Sequence, residues 1–157
     1  MTKIHLTTFI AAPVERVFDL SRSISLHKIS MQDTREDAIA GKTSGVINVN
    51  ETVTWEGKHL FKTRRFTSKI TAMDRPLSFI EEMLSGDFKR FRHEHHFKAV
   101  DNGTIMIDLM EFETPYGFIG KVLNQYYLKA YFENLLTKRN NVLKEYAETD
   151  KWMLILN

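Results

Sequence analysis

"FRHEHHFKAVDNGTIMIDLMEF", Phe91 to Phe112, is two extended stretches that meet at Asn102-Gly103. Asn-Gly is the strongest two-residue hairpin signal, because a type I′ turn needs positive φ at both central positions. With those two residues at the turn, Asp101 pairs with Thr104, Phe97 with Asp108, His95 with Met110 and His93 with Phe112. One face then carries Phe91, His93, His95, Phe97, Met106, Asp108, Met110 and Phe112. The other carries Arg90, Arg92, Glu94, His96 and Lys98, which belong in water. Alternation therefore turns two imidazoles inward, with Asp108 diagonal to His95 and within reach of a side chain. Ile105, Ile107 and Leu109 are left on the outer face, where a homodimer contact would cover them.

Outward from this hairpin, Lys3–Ile10 alternates as a strand. Pro13 suits a first helical position, and Val14, Val17 and Phe18 recur at helical spacing behind it. "SISLHKISM" reads as a second short helix. The β-branched stretch from Thr43 to Met73 reads as strands broken near Glu56-Gly57, and "SFIEEMLSG" as another after the turn at Asp74-Arg75-Pro76. From about Phe118 to Glu148 there is one long helix, broken by neither proline nor any glycine after Gly120. Its apolar residues form two stripes. Ile119, Val122, Leu123, Tyr126 and Ala130 lie on one side, with Leu128, Phe132, Leu135, Leu136, Val142, Leu143 and Tyr146 roughly opposite. The apolar "KWMLILN" at the end packs rather than trails.

The order is strand, two short helices, about six antiparallel strands, one long helix. The last helix is the only element long enough to cover such a sheet, and a curved sheet around one helix leaves a cavity between them. The 157 residues fit one domain, residues 1–157, with length for a substantial core. A net charge of +2 with no clustered basic face gives no reason to expect nucleic acid. No cysteine is present, which excludes disulfides, thiolate zinc sites and a cysteine nucleophile. No apolar run spans a bilayer, and a cytoplasmic protein is the expectation.

A buried polar cluster needs partners or internal water. His93, His95 and Asp108 fit three readings. One is a hydrogen-bonded core, with His95 on Asp108 and His93 on a tyrosine of the long helix. Another is the polar end of an apolar ligand pocket. The third is a metal or acid–base site, since His-x-His on a strand puts two ligands on one side. A cupin-like pattern would add a glutamate a few residues on, where Ala99 and Val100 stand, so neither metal nor cofactor is expected. Glu51 shares the face of Ile47, Val49, Val53 and Trp55, and suits a pocket acid or an exposed edge equally. His59 is placed near the cavity mouth, and His27 at the surface or in a helix cap. Phosphate loops, nucleophile elbows and His-Glu-x-x-His are absent from the sequence.

Together "AAPVERVFDLSRSISLH" (Ala11–His27), "EDAIAGKTSGVINVNETVTW" (Glu36–Trp55), "GDFKRFRHEHHF" (Gly86–Phe97), "GTIMID" (Gly103–Asp108) and "KRNNVLKEY" (Lys138–Tyr146) resemble the START-like, or SRPBCC, superfamily. The likeness covers nearly the whole chain. It is greatest to a bacterial subgroup combining a Thr-Ser-Gly turn, a Val-Thr-Trp strand and a His-x-His strand. One departure is "HLF", His59–Phe61, where the pattern carries His-Phe-Gly. The resemblance implies an α+β helix-grip fold, a curved seven-stranded antiparallel sheet around the C-terminal helix, and binding of small hydrophobic or amphipathic molecules. The superfamily holds carriers, sensors, co-chaperones and enzymes, so catalysis stays open.

The expected function is binding of such a molecule in the cavity. Trp55, Phe91, Phe97, Met106, Met110, Phe112 and Tyr126 wall it, His93, His95 and Asp108 orient a polar group, and Glu51 and His59 lie nearer the mouth. The alternative is a cyclase/dehydratase-type enzyme. In it, His95 polarised by Asp108 is the general base, and His93 steadies a developing oxyanion. A third reading is an interaction module that uses the outer Ile105, Ile107 and Leu109.

Overall fold

The computed structural model describes residues 1–115 and 124–156. In chain order come β1 (Thr2–Ile10), α1 (Val14–Ser21), α2 (Ile24–Ser30), β2 (Asp37–Gly41), β3 (Thr52–His59), β4 (Lys62–Asp74), β5 (Ser78–Ser85), β6 (Arg90–Val100) and β7 (Gly103–Glu113). A π-helical turn (Asn124–Leu128) leads into α3 (Lys129–Glu148), and α4 (Met153–Leu156) follows. Among the described residues the strands form one sheet ordered β1-β7-β6-β5-β4-β3-β2, paired antiparallel throughout. The sheet is curved, with register shifts in the β2–β3 and β4–β5 pairs. The chain crosses from one edge strand to the other through α1 and α2. Ser23 starts α2 by accepting a hydrogen bond from the Leu26 amide at 3.1 Å.

The hairpin register differs from the Asn-Gly expectation. Val100 pairs with Gly103, so Asp101 and Asn102 are the turn residues. His95 faces Asp108, His93 faces Met110 and Phe97 faces Met106. Gly103 is needed for a different reason: a Cβ there would lie 2.4 Å from the Ile10 carbonyl oxygen. The sliding amounts to two residues, and side chains alternate with period two. Each residue keeps its face. Accordingly His93, His95, Phe97, Met106, Asp108, Met110 and Phe112 are all buried, while Ile105, Ile107 and Leu109 are half-buried on the outer face.

Two further expectations change. The break at Glu56-Gly57 is absent: β3 runs through both residues, and Gly57 makes room for Glu36, whose Cγ a Cβ would meet at 2.5 Å. The reversal comes instead at Leu60 and Phe61, with φ of 52° and 66°. Phe61, the second of them, is where the His-Phe-Gly pattern carries its glycine. Of the long helix, α3 supplies 20 residues, about 30 Å. Phe118, Ile119, Val122 and Leu123 lie outside the described residues. One stripe of the helix is buried, through Leu128, Leu136, Leu143 and Ala147, while Tyr126 and Ala130 are exposed. At the C-terminus, Trp152, Ile155 and Leu156 pack against the core.

The core falls into two parts. One gathers Ile10, Phe18, Leu20, Ile70, Phe79, Phe97, Met106 and Leu143 beneath α1 and α2. The other gathers Ile4, Met110, Phe112, Leu128 and Leu136, flanked by Phe88, Phe91 and Phe132. On β7, Asp108 sits between Met106 of the first and Met110 of the second. On β6, His93 and His95 sit between Phe91 and Phe97. A polar belt therefore crosses the inner face of the sheet.

Candidate functional site

The belt begins on β4. The Ser68 hydroxyl donates to Glu81 Oε1 of β5 at 2.5 Å. Glu81 is the register partner of His93 on β6, and its Oε2 lies 4.0 Å from His95 Nε2. His93 and His95 stack with ring centroids 3.8 Å apart, and His95 stacks in turn on Phe79 at 4.1 Å. His93 Nε2 donates to Asp108 Oδ1 of β7 at 2.8 Å. Asn140 of α3 donates from Nδ2 to Asp108 Oδ2 at 2.8 Å, and Arg139 Nη1 stands 3.8 Å from Oδ1. Arg139 is itself buried, donating to the backbone and side-chain oxygens of Ser21. Asp108 thus joins the sheet to the helix. It orients His93 rather than His95, the reverse of the expected pairing.

His95 is 2% exposed, yet neither ring nitrogen makes a hydrogen bond among the described residues. Its Nδ1 lies 3.4 Å from Asp108 Oδ1 without hydrogen-bond geometry. The ionisation states follow from burial set against neighbours. Burial and then the adjacent His95 push the His93 pKa down to about 4 against the pull of Asp108, so the ring is neutral at pH 7. Burial alone would raise Glu81. His95, Ser68 and His93 outweigh it and bring the carboxyl to about 2. Asp108 behaves likewise: His93, His95 and Arg139 overcome burial and hold it well below the usual range.

A cavity of about 320 Å³ opens beside the belt. Glu81, His93 and His95 form one part of its wall. Trp55, Phe66, Phe91, Met110, Leu128, Phe132 and Leu136 supply apolar surface. Arg65 and Asp87, both exposed, also line it, and Asp87 pairs with Arg64 at 2.6 Å. Of the residues singled out from the sequence, Trp55, His59, Phe91, His93, His95 and Met110 line the cavity. Asp108 stands behind His93, and Phe97, Met106 and Phe112 lie in the packed core. Two residues lie elsewhere. Glu51 holds the Asn48 amide at 2.7 Å near Lys42, and Tyr126 is 72% exposed.

A second polar group was not anticipated. Glu36 bridges His27 Nε2 at 2.9 Å and His59 Nε2 at 3.1 Å, and His59 Nδ1 lies 2.7 Å from the Tyr131 hydroxyl. The His27 ring also packs on Trp55 at 4.1 Å, so it is no surface residue. The two histidines outweigh burial and lower the Glu36 carboxyl to about 2. Tyr131 is raised by burial and then by the Glu36 charge. His27, Glu36 and His59 line the same cavity as His93 and His95.

A curved antiparallel sheet gripping a C-terminal helix, with short helices after the first strand and a lined cavity, defines the START-like helix-grip fold. Comparison with solved structures bears this out. The protein TTHA0849 from Thermus thermophilus aligns with a TM-score of 0.74 at 18% identity, over 92% of this chain and 95% of its own. The Zhui aromatase/cyclase from Streptomyces sp. R1128 aligns with a TM-score of 0.74 at 14% identity, covering 94% and 93%. The major latex-like protein 151 of Panax ginseng gives 0.68 at 13%, covering 93% and 97%. Neither a family model nor a curated protein sequence matches the chain. Among the described residues no helix is long and apolar enough to cross a membrane.

Proposed function

We propose that the protein binds a small hydrophobic or amphipathic molecule in this cavity, with the molecule's polar end toward Glu81, His93 and His95. The observation that carries the reading is a wall of unsatisfied and anionic groups, Glu81, His93 and His95, facing the aromatic and aliphatic surface of the same chamber. Its volume of about 320 Å³ falls in the range of small-molecule sites. Phe91, Phe132 and Leu136 take the apolar body, while His95 offers two ring nitrogens without a hydrogen bond among the described residues. The ligand-free molecule bears the cost of burying those nitrogens, and a hydrogen-bonding ligand relieves it.

Native mass spectrometry of the purified protein tests this directly: an apolar molecule is expected to travel with it. Separately, Leu136→Trp fills the chamber and should weaken binding of an anilinonaphthalene sulfonate probe at least tenfold while circular dichroism is unchanged. Absence of both a co-purified molecule and saturable probe binding would remove the reading.

A second reading is an enzyme of cyclase/dehydratase type, which the likeness to an aromatase/cyclase supports. In it His95, beside Glu81 and stacked on His93, takes a proton from an acidic C–H of the bound molecule, and His93 is held in place by Asp108. Histidine ring signals followed by NMR from pH 5 to 9 separate the two readings. A base must titrate in that window, and rings locked in one state count against catalysis.

A further inference from the structure

Two imidazoles and one carboxylate meet in the wall of the cavity. Glu81, His93 and His95 each offer a ligand atom, and these atoms all lie within 4.8 Å of one another. We propose that Glu81, His93 and His95 bind a divalent first-row transition ion, zinc or iron(II), leaving coordination positions open toward the cavity. The inference goes beyond the apolar-ligand reading and does not depend on it.

Three features argue for the ion. The donor set comes first: two neutral imidazoles and a carboxylate suit zinc or ferrous iron, not calcium or magnesium, which take oxygen. Bonds of about 2.1 Å place tetrahedral ligands about 3.4 Å apart, so no pair has to close by more than about 1.4 Å. The His95–Glu81 pair, at 4.0 Å, has less far to go.

The second feature is His95 itself. It is 2% exposed, lines the cavity, and leaves both nitrogens without a hydrogen bond among the described residues. Buried imidazole nitrogens are ordinarily satisfied, and an ion on Nε2, the nitrogen nearer Glu81, satisfies one of the two. The third is the arrangement behind the ligands. Asp108 receives the His93 Nε2 proton at 2.8 Å, which fixes the tautomer and leaves Nδ1 as the ligand atom. Metal-binding histidines characteristically carry such a carboxylate behind them. Asp108 is in turn held by Asn140 and faced by Arg139, so its charge is compensated. Glu81 has no lysine or arginine partner of that kind among the described residues. Among the described residues its only ion pair is with His95, and its Oε1 is fixed by Ser68 while Oε2 is left for the metal.

Titration of chelator-treated protein with cobalt(II), read by visible absorption, and with zinc(II), read by competition with a chelating indicator, tests the site. A saturable visible band and a micromolar or tighter zinc constant are expected at one ion per chain. His95→Phe keeps the stacking on Phe79 and removes both nitrogens. It should retain the fold and weaken zinc at least 100-fold, with loss of the cobalt band. Glu81→Gln should do the same, while Glu36→Gln, in the other cluster, should leave both signals intact. If His95→Phe fails to fold, zinc-dependent shifts of the His93 and His95 ring nitrogens in the unaltered protein carry the test. Millimolar binding, zinc affinity unchanged in His95→Phe and Glu81→Gln, or ring signals indifferent to zinc would overturn the proposal. Probe binding measured in chelator reports on the apolar-ligand reading alone, so the two fail separately.

Discussion

Replacing Asp108 by Asn changes almost no volume and removes one buried charge. The side chain is fully buried and accepts from His93 Nε2 and Asn140 Nδ2, each at 2.8 Å, with Arg139 at 3.8 Å. An amide has a single acceptor oxygen, so one of the two donors must face an NH₂ group. The loss of a hydrogen bond to a charged group costs about 1.5–3 kcal/mol. Arg139 also loses its counter-charge, although Ser21 still holds it. Removal of one member of a buried ion pair costs about 3–5 kcal/mol, and the retained Ser21 bonds place this variant near 3. For a chain of this size that corresponds to a melting temperature lowered by about 6–12 °C.

Guanidinium unfolding followed by fluorescence of the buried Trp55, in chelator so that no ion contributes, measures the difference. The pH dependence has a definite sign. The folded Asp108 carboxyl titrates below its unfolded value, so its contribution is complete above pH 5 and is lost only as pH falls through the folded value. The gap between the two proteins should therefore stay level from pH 8 to 5 and close in stronger acid. A gap below 1 kcal/mol at pH 7, or one that closes between pH 8 and 6, would refute the account of the belt.

The unaltered protein should itself weaken in mild acid. The His93 pKa is depressed from 6.5 to about 4, so the unfolded chain takes up a proton first and stability falls between those values by about 3 kcal/mol. A His93→Gln variant should lack that part of the slope, as denaturant midpoints across pH 4 to 7 will show. Gly103→Ala should cost about 1–3 kcal/mol through the clash with the Ile10 carbonyl, while Asn102→Ala should change stability by under about 0.5. Equal effects in chemical denaturation would contradict the observed register. Phe61 is 96% exposed at φ 66°, so Phe61→Gly should stabilise by about 1 kcal/mol, visible as a higher melting temperature.

The inward face was legible in the sequence because period-two alternation survives a register error of two residues. The register itself was not. Asn102-Gly103 looks like a turn, but its glycine answers to the backbone of β1, which no local pattern records. Glu81 was within reach of the same alternation, two residues from Phe79. The flanking Ile80 and Glu82 blur the apolar face there, and the strand hides its acid. Glu36 and His27 were beyond sequence reasoning, since the irregular stretch between them and the distant β3 bring them together. Arg139 and Asn140 occupy the buried stripe between Leu136 and Leu143, at helical spacing. A guanidinium in a helix is ordinarily assigned to solvent, and only its sheet partner Asp108 explains it.

The divided core has a consequence for how this protein can change. Phe18, Phe97 and Leu143 sit on one side of the belt, and Phe88, Phe91 and Phe132 of the chamber wall sit on the other. Alterations to Phe91, Phe132 or Leu136 reshape the chamber without touching the contacts that seat α1 on the sheet. What the molecule admits can therefore drift from lineage to lineage while the frame that keeps it folded stays still.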